Sequence, residues 1–163
     1  MENPSLGSIA QVDVAPPIGG STLFSDSHAA YLGLPPDLKD RLQDLYGIND
    51  YRVFMRKYPE ELHNEIKQKV PFGVSHPLLR THPETGKTAL YVHLGFIRQD
   101  ALFDGRTGET LPPDECKDII RQLSVQHTRE EYVCRFRYEA GSIAFGDNQK
   151  AIEPASYLKR QTY

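Results

Sequence analysis

Three proline pairs cut this sequence into short elements: Pro16-Pro17, Pro35-Pro36 and Pro112-Pro113. Proline lacks the N–H that a helix interior or a central strand must donate, and its ring fixes φ at roughly −65°. Each pair therefore marks a turn or the start of an element. Gly19-Gly20 follows the first pair and reinforces the turn. The chain has 12 Pro and 12 Gly in 163 residues, and their clusters mark turns and element starts. The apolar runs are a handful of residues each, far below the roughly 20 that cross a bilayer.

The segments between these breaks read as short strands with a few helices. Ser8 to Val14 mixes apolar, polar and β-branched residues and predicts a strand ending before Pro16. Asp26 or Ser27 can cap a short helix through Ala29, Ala30 and Tyr31. Pro35-Pro36 sits at the start of a helix in which Leu34, Leu38, Leu42 and Leu45 recur at helical spacing and predict one apolar stripe. Leu62, Ile66 and Val70 give a weaker stripe in a charged stretch, a surface helix within an insertion over residues 56–75. Thr88 to Leu94 predicts a strand, with Leu78 to Thr81 its hairpin partner across Thr85-Gly86-Lys87. Pro112 to Gln126 predicts the best helix, with Cys116, Ile119, Ile120 and Leu123 on one face. Tyr132 to Tyr138 alternates, placing Arg135 and Arg137 on one face of a strand, and Gly141 to Phe145 predicts another. Short strands with few helices between them suit an antiparallel sheet with helical insertions, not a βαβ array.

Composition narrows the function. The chain is long enough for one domain, 1–163, with a real core. Its 39% apolar and 25% charged residues, with a mean hydropathy of −0.53, are ordinary for a globular protein in water. A net charge of −3 offers no basic field to a nucleic-acid backbone. The first ten residues lack the basic cluster and apolar stretch of a signal peptide. Cys116 and Cys134 show no metal spacing and read as two buried thiols of a cytoplasmic protein. There is no phosphate loop and no Gly-x-Ser-x-Gly elbow. His63-Asn64-Glu65 and His82-Pro83-Glu84 have His-x-acid spacing, but a charged helix and a turn are poor metal contexts, so both read as surface or turn residues.

One ordered set of phrases remains. Pro16 to Phe24 reads Pro-Pro-Ile-Gly-Gly-Ser-Thr-Leu-Phe, followed by Ala29-Ala30-Tyr31. His76 to Val92 reads His-Pro-Leu-Leu-Arg-Thr-His-Pro-Glu-Thr-Gly-Lys-Thr-Ala-Leu-Tyr-Val, and Ile143-Ala144-Phe145-Gly146-Asp147-Asn148 comes last. This series resembles the taurine dioxygenase (TauD/TfdA-like) family, whose members oxidise small substrates with iron(II), oxygen and 2-oxoglutarate. The resemblance covers nearly the whole chain, and Arg80 to Val92 is its most specific piece. It implies a mainly β fold with helices (α+β), a partial double-stranded β-helix or jelly roll. Open sheet edges in such a partial fold invite a homo-oligomer.

The resemblance also implies a site. The family holds iron with a His-x-Asp pair and a distal His. The pair lies a few residues before the segment similar to Glu2 to Ser8, which implies that both ligands are lost by truncation, along with the final strand. The distal His follows a Trp-Asp-Asn-Arg phrase. Here the phrase reads Gly146-Asp147-Asn148-Gln149, and Glu153 stands at the His position. For 2-oxoglutarate the family uses a Thr matching Thr22 and an Arg matching Arg160, with Lys159 the competing choice. A second family Arg would fall just after Tyr163. Phe96 matches a pocket aromatic, and His93 replaces a family Asn beside it. Arg135 and Arg137 can line a barrel mouth or face water. Two functions follow: a dioxygenase of a small anionic substrate, impaired in this chain, or a non-catalytic binding or interaction module on the same fold.

Overall fold

A computed structural model describes residues 4–69, 72–148 and 151–152. The chain opens with β1 (Gly7–Gln11) and β2 (Thr22–Asp26), joined by the proline–glycine turn in which Gly19 and Gly20 take positive φ. The Asp26 carboxylate then accepts the backbone N–H of His28 and of Ala29, at 2.9 and 3.0 Å, and so caps α1 (Ser27–Leu32). Pro35 and Pro36 start α2 (Pro36–Leu42), where missing N–H groups cost nothing. Next come β3 (Leu45–Asn49), 3-10 turns over Tyr51–Lys57 and Glu60–Leu62, and α3 (His63–Lys69), which buries no residue. The strands β4 (Val74–Pro77), β5 (Leu79–Thr81), β6 (Thr88–Leu90) and β7 (Ile97–Asp104) follow. The long helix α4 (Pro113–His127) leads to β8 (Val133–Phe136), β9 (Ile143–Asp147) and β10 (Ala151–Ile152).

The strands form four small antiparallel sheets, in the orders β1-β9, β10-β2-β8, β4-β3-β7 and β5-β6. Pro77 sits on the edge strand β4, where a missing N–H does no harm. α4 packs on β7, and α1 packs on β6. Cys116, Ile119, Ile120 and Leu123 recur at helical spacing and are all buried, so one face of α4 makes the floor of the core. Each of the aliphatic side chains Ile119, Ile120 and Leu123 contributes roughly 1.5–3 kcal/mol by leaving water. The predicted hairpin forms in register, Leu79 opposite Leu90 and Thr81 opposite Thr88.

Three expectations need correction. Leu45 does not continue the helix: α2 ends at Leu42, Gln43 and Asp44 turn the chain, and Leu45 opens β3. It is buried all the same, because the strand returns it to the same core as Leu34 and Leu42. Cys134 is exposed, not buried. It lies on β8, the edge of a three-stranded sheet. In the Tyr132 to Tyr138 alternation, Tyr132 packs against the core and Tyr138 is half-buried, but Cys134 and Phe136 between them are exposed, and Arg135 and Arg137 face water. Finally, β3, β4 and β7, the best-buttressed sheet, were not among the strands that alternation predicts.

Candidate functional site

A cavity of about 600 Å³ opens between the β1-β9 sheet and the β4-β3-β7 sheet. β4 turns Val74 and His76 toward it, two residues apart on one face. The chain leaving β6 supplies Tyr91, Val92 and His93, then Phe96. Leu90 and Phe24 add apolar wall. Two histidines are braced by aromatic rings. His76 meets Tyr91 edge-on, with centroids 5.5 Å apart at 87°, and His93 meets Phe96 at 4.5 Å and 66°. The volume matches pockets for small organic ligands.

The opposite wall is polar. Ser5, Ser8, Asp147 and Asn148 contribute to it, and Asn49 adds an amide. Asn148 donates to the Ser5 hydroxyl at 3.0 Å and accepts from the Ser8 hydroxyl at 2.9 Å. Its own amide N–H donates to the Leu6 carbonyl at 2.9 Å. Among the described lining residues Asp147 is a carboxylate, and none is Lys or Arg. Next to the cavity, Asp50 is buried and held by Arg52 through contacts of 2.8 to 3.1 Å. Its hydrogen bonds with Arg52 keep its carboxyl below the usual carboxylate range, against the opposing effect of burial.

The residues named from sequence separate into three groups. His93 and Phe96 both line the cavity. Thr22 opens β2 opposite Phe136 and is not among the described lining residues. Glu153, Lys159 and Arg160 lie outside the described residues. His82 is a further correction. It sits in a turn, as expected, but is only 6% exposed and pairs with Asp147 across 3.0 Å. His63 is half-buried and bonds the carbonyls of Met55 and Tyr58 at 2.8 and 3.0 Å. Sequence reasoning missed His76, Tyr91 and Asp147 as cavity residues, although all three stand inside the phrases it singled out.

An iron ion does not fit these residues. Among the described residues no three His, Cys, Asp or Glu side chains gather as a metal-ligand set. The arrangement as described can enclose a small molecule, stack against its apolar part and bond its polar groups.

The architecture matches solved dioxygenases. A taurine dioxygenase from Burkholderia xenovorans superposes with a TM-score of 0.72 at 31% identity, over 92% of this chain and 45% of that one. The structure is thus a jelly roll of the 2-oxoglutarate-dependent dioxygenase type. The model of the taurine catabolism dioxygenase TauD, TfdA family matches residues 1–152, and the chain belongs to that family. It is 30% identical over 149 residues to the alpha-ketoglutarate-dependent 2,4-dichlorophenoxyacetate dioxygenase of Cupriavidus pinatubonensis, covering 87% of this chain and 46% of that protein. It is 28% identical over 148 residues to the alpha-ketoglutarate-dependent dioxygenase cnsP of Penicillium expansum, covering 90% and 38%. The chain therefore spans less than half the length of these curated relatives. Among the described residues no helix is long and apolar enough to cross a membrane.

Proposed function

We propose that the protein serves the oxidation of a small organic substrate by iron(II), oxygen and 2-oxoglutarate, and that the residues described here hold the substrate and not the metal. The observation that carries this reading is the cavity, where His93 and Phe96 join His76 and Tyr91 in an aromatic wall. Iron and 2-oxoglutarate supply the oxidising chemistry of the class. The chain's own part is to enclose the substrate, exclude water and fix its orientation. In this reading Thr22 and Arg160 hold 2-oxoglutarate, Glu153 stands in for the distal metal ligand, and the substrate is anionic, its charge met by cations other than the described lining residues. Residues 1–163 then form one domain with an insertion at 56–75, working in the reducing cytoplasm. The exposed side chains of Ile9, Ile143 and Phe145 support self-association.

The test is a titration with 2,4-dichlorophenoxyacetate, followed by tyrosine fluorescence, and an anaerobic titration with iron(II) and 2-oxoglutarate. Saturable binding of the first, weakened about tenfold by Phe96→Ala, is expected. A stoichiometric metal-to-ligand absorption band in the second supports the oxidative reading and would overturn the non-catalytic one below. Binding unaffected by Phe96→Ala would overturn the cavity assignment. A second reading, a non-catalytic binding module, is favoured by the dispersed His, Cys, Asp and Glu side chains among the described residues. Ligand binding without any 2-oxoglutarate consumption, even with iron in excess, supports it.

A further inference from the structure

Thr81 to Lys87, inside the Arg80 to Val92 stretch that is the most specific piece of the family resemblance, has a physical role that none of the functional assignments uses. It closes the β5–β6 hairpin. The backbone N–H of His82 donates to the Lys87 carbonyl, and that of Gly86 donates to the His82 carbonyl, both at 2.9 Å. Gly86 has φ near +65°, a conformation that side-chain-bearing residues resist. Inside this turn the backbone N–H groups of Glu84 and Thr85 point at the His82 ring. They donate to Nδ1 at 3.2 and 3.3 Å.

That geometry fixes a proton. A ring nitrogen that accepts N–H bonds carries no hydrogen, so the neutral imidazole must carry its proton on Nε2. Nε2 lies 3.0 Å from Asp147 Oδ2. The turn thus sets the tautomer, and the tautomer sets the donor to Asp147. Asp147 ends β9 at the polar wall of the cavity. Its neighbour Asn148 is bonded to Ser5, Leu6 and Ser8. One polar network therefore joins three distant segments: 5–8, 82–85 and 147–148.

We propose that His82 is a positioning residue, acting through Asp147 to hold the end of β9 and the polar wall of the cavity in place before a ligand arrives. A buried, charge-assisted bond to a carboxylate fixes a wall more firmly than a surface contact does. The ligand consequence rests on the cavity reading above. The positioning itself does not.

The experiment separates the two ends of the ring. In His82→Asn the side-chain oxygen takes the place of Nδ1 and keeps the turn, but the shorter side chain no longer reaches Asp147. In His82→Gln the amide reaches Asp147 as Nε2 does, while the turn loses its acceptor. Three readouts are compared in the full chain: the His82 tautomer by side-chain nitrogen NMR in the parent, exchange of the Asn148 amide hydrogen, and affinity for 2,4-dichlorophenoxyacetate. The parent should show the Nε2-protonated form. In His82→Asn the Asn148 amide should exchange about tenfold faster and affinity should fall about tenfold, with His82→Gln close to the parent in both. A protonated Nδ1 in the parent, or unchanged Asn148 exchange in His82→Asn, overturns the proposal. If the parent shows no binding, the cavity reading fails and the exchange result alone decides the role of His82. A purely structural role in the turn would reverse the order, with His82→Gln the more damaged variant.

Discussion

The Ser25 hydroxyl lies 3.3 Å from Nδ1 of His127, a contact that closes 102 positions of sequence. It ties the end of α4 to β2. His127 is fully buried, and its Nε2 has no hydrogen-bond partner among the described residues. Burial disfavours the charged imidazolium and pushes its pKa down to about 4, from an ordinary 6.5.

This makes His127 an acid-sensitive point in the fold. Between pH 6.5 and 4 the unfolded chain binds a proton that the folded chain refuses, so stability falls as pH drops through that window and levels below it. The loss from this one group is on the order of 3 kcal/mol. His127→Leu should remove that part of the pH dependence in urea unfolding measured from pH 7 to pH 4. An unchanged slope in the variant would refute the assignment.

Asp50 makes a second, separate contribution. Its carboxyl is kept below 3.8 chiefly by its side-chain bonds with Arg52, whose guanidinium also lies 4.1 Å from the Phe72 ring centroid. A depressed carboxylate stabilises the fold above its ordinary pKa and loses that contribution as pH falls below 3.8. Asp50→Asn should cost about 1–3 kcal/mol near neutral pH. The gap to the parent should narrow in acid, as unfolding curves at pH 7 and pH 3 would reveal.

Gly47 sits in the middle strand β3 because a side chain does not fit there. A Cβ at this position would stand 2.5 Å from Ile97 Cδ1 and 3.2 Å from Leu102 Cδ2, both in buried residues. Gly47→Ala should destabilise the protein by about 1–3 kcal/mol through overpacking. Denaturant unfolding should show a lower midpoint at an unchanged slope. A variant as stable as the parent would mean that the core yields more easily than its packing implies.

The two thiols should react at different rates. Cys134 is exposed on β8, whereas Cys116 is buried against the Leu102 and Leu111 carbonyls. A colorimetric disulfide reagent should modify one thiol of the native protein promptly and the second only after unfolding. Cys134→Ser should abolish the prompt phase.

Much of the outer architecture can be read from local chemistry. The Asp26 cap, the paired prolines at α2 and α4, the buried stripe on α4 and the Gly86 turn each follow from a few adjacent residues. What local pattern hides is pairing between distant segments. β7 breaks its alternation at Gln99 and Asp100, both exposed, and becomes a strand only because β3 lies beside it. Leu45 fits a helical stripe by spacing, and tertiary pairing makes it a strand residue. The aromatic wall was partly legible, since Phe96 and His93 belong to a recognisable phrase. The polar wall was not, because Ser5, Asp147 and Asn148 meet only after the chain has folded.

The pairing of β1 with β9, Gly7 opposite Asp147, carries a consequence for how the molecule is made. During synthesis β1 leaves the ribosome with its partner still about 140 residues away, and pairs so remote in sequence close late and slowly. Until then Ile9 and its neighbours present an unmatched strand edge to other nascent chains. The yield of native protein should therefore depend on chaperone supply.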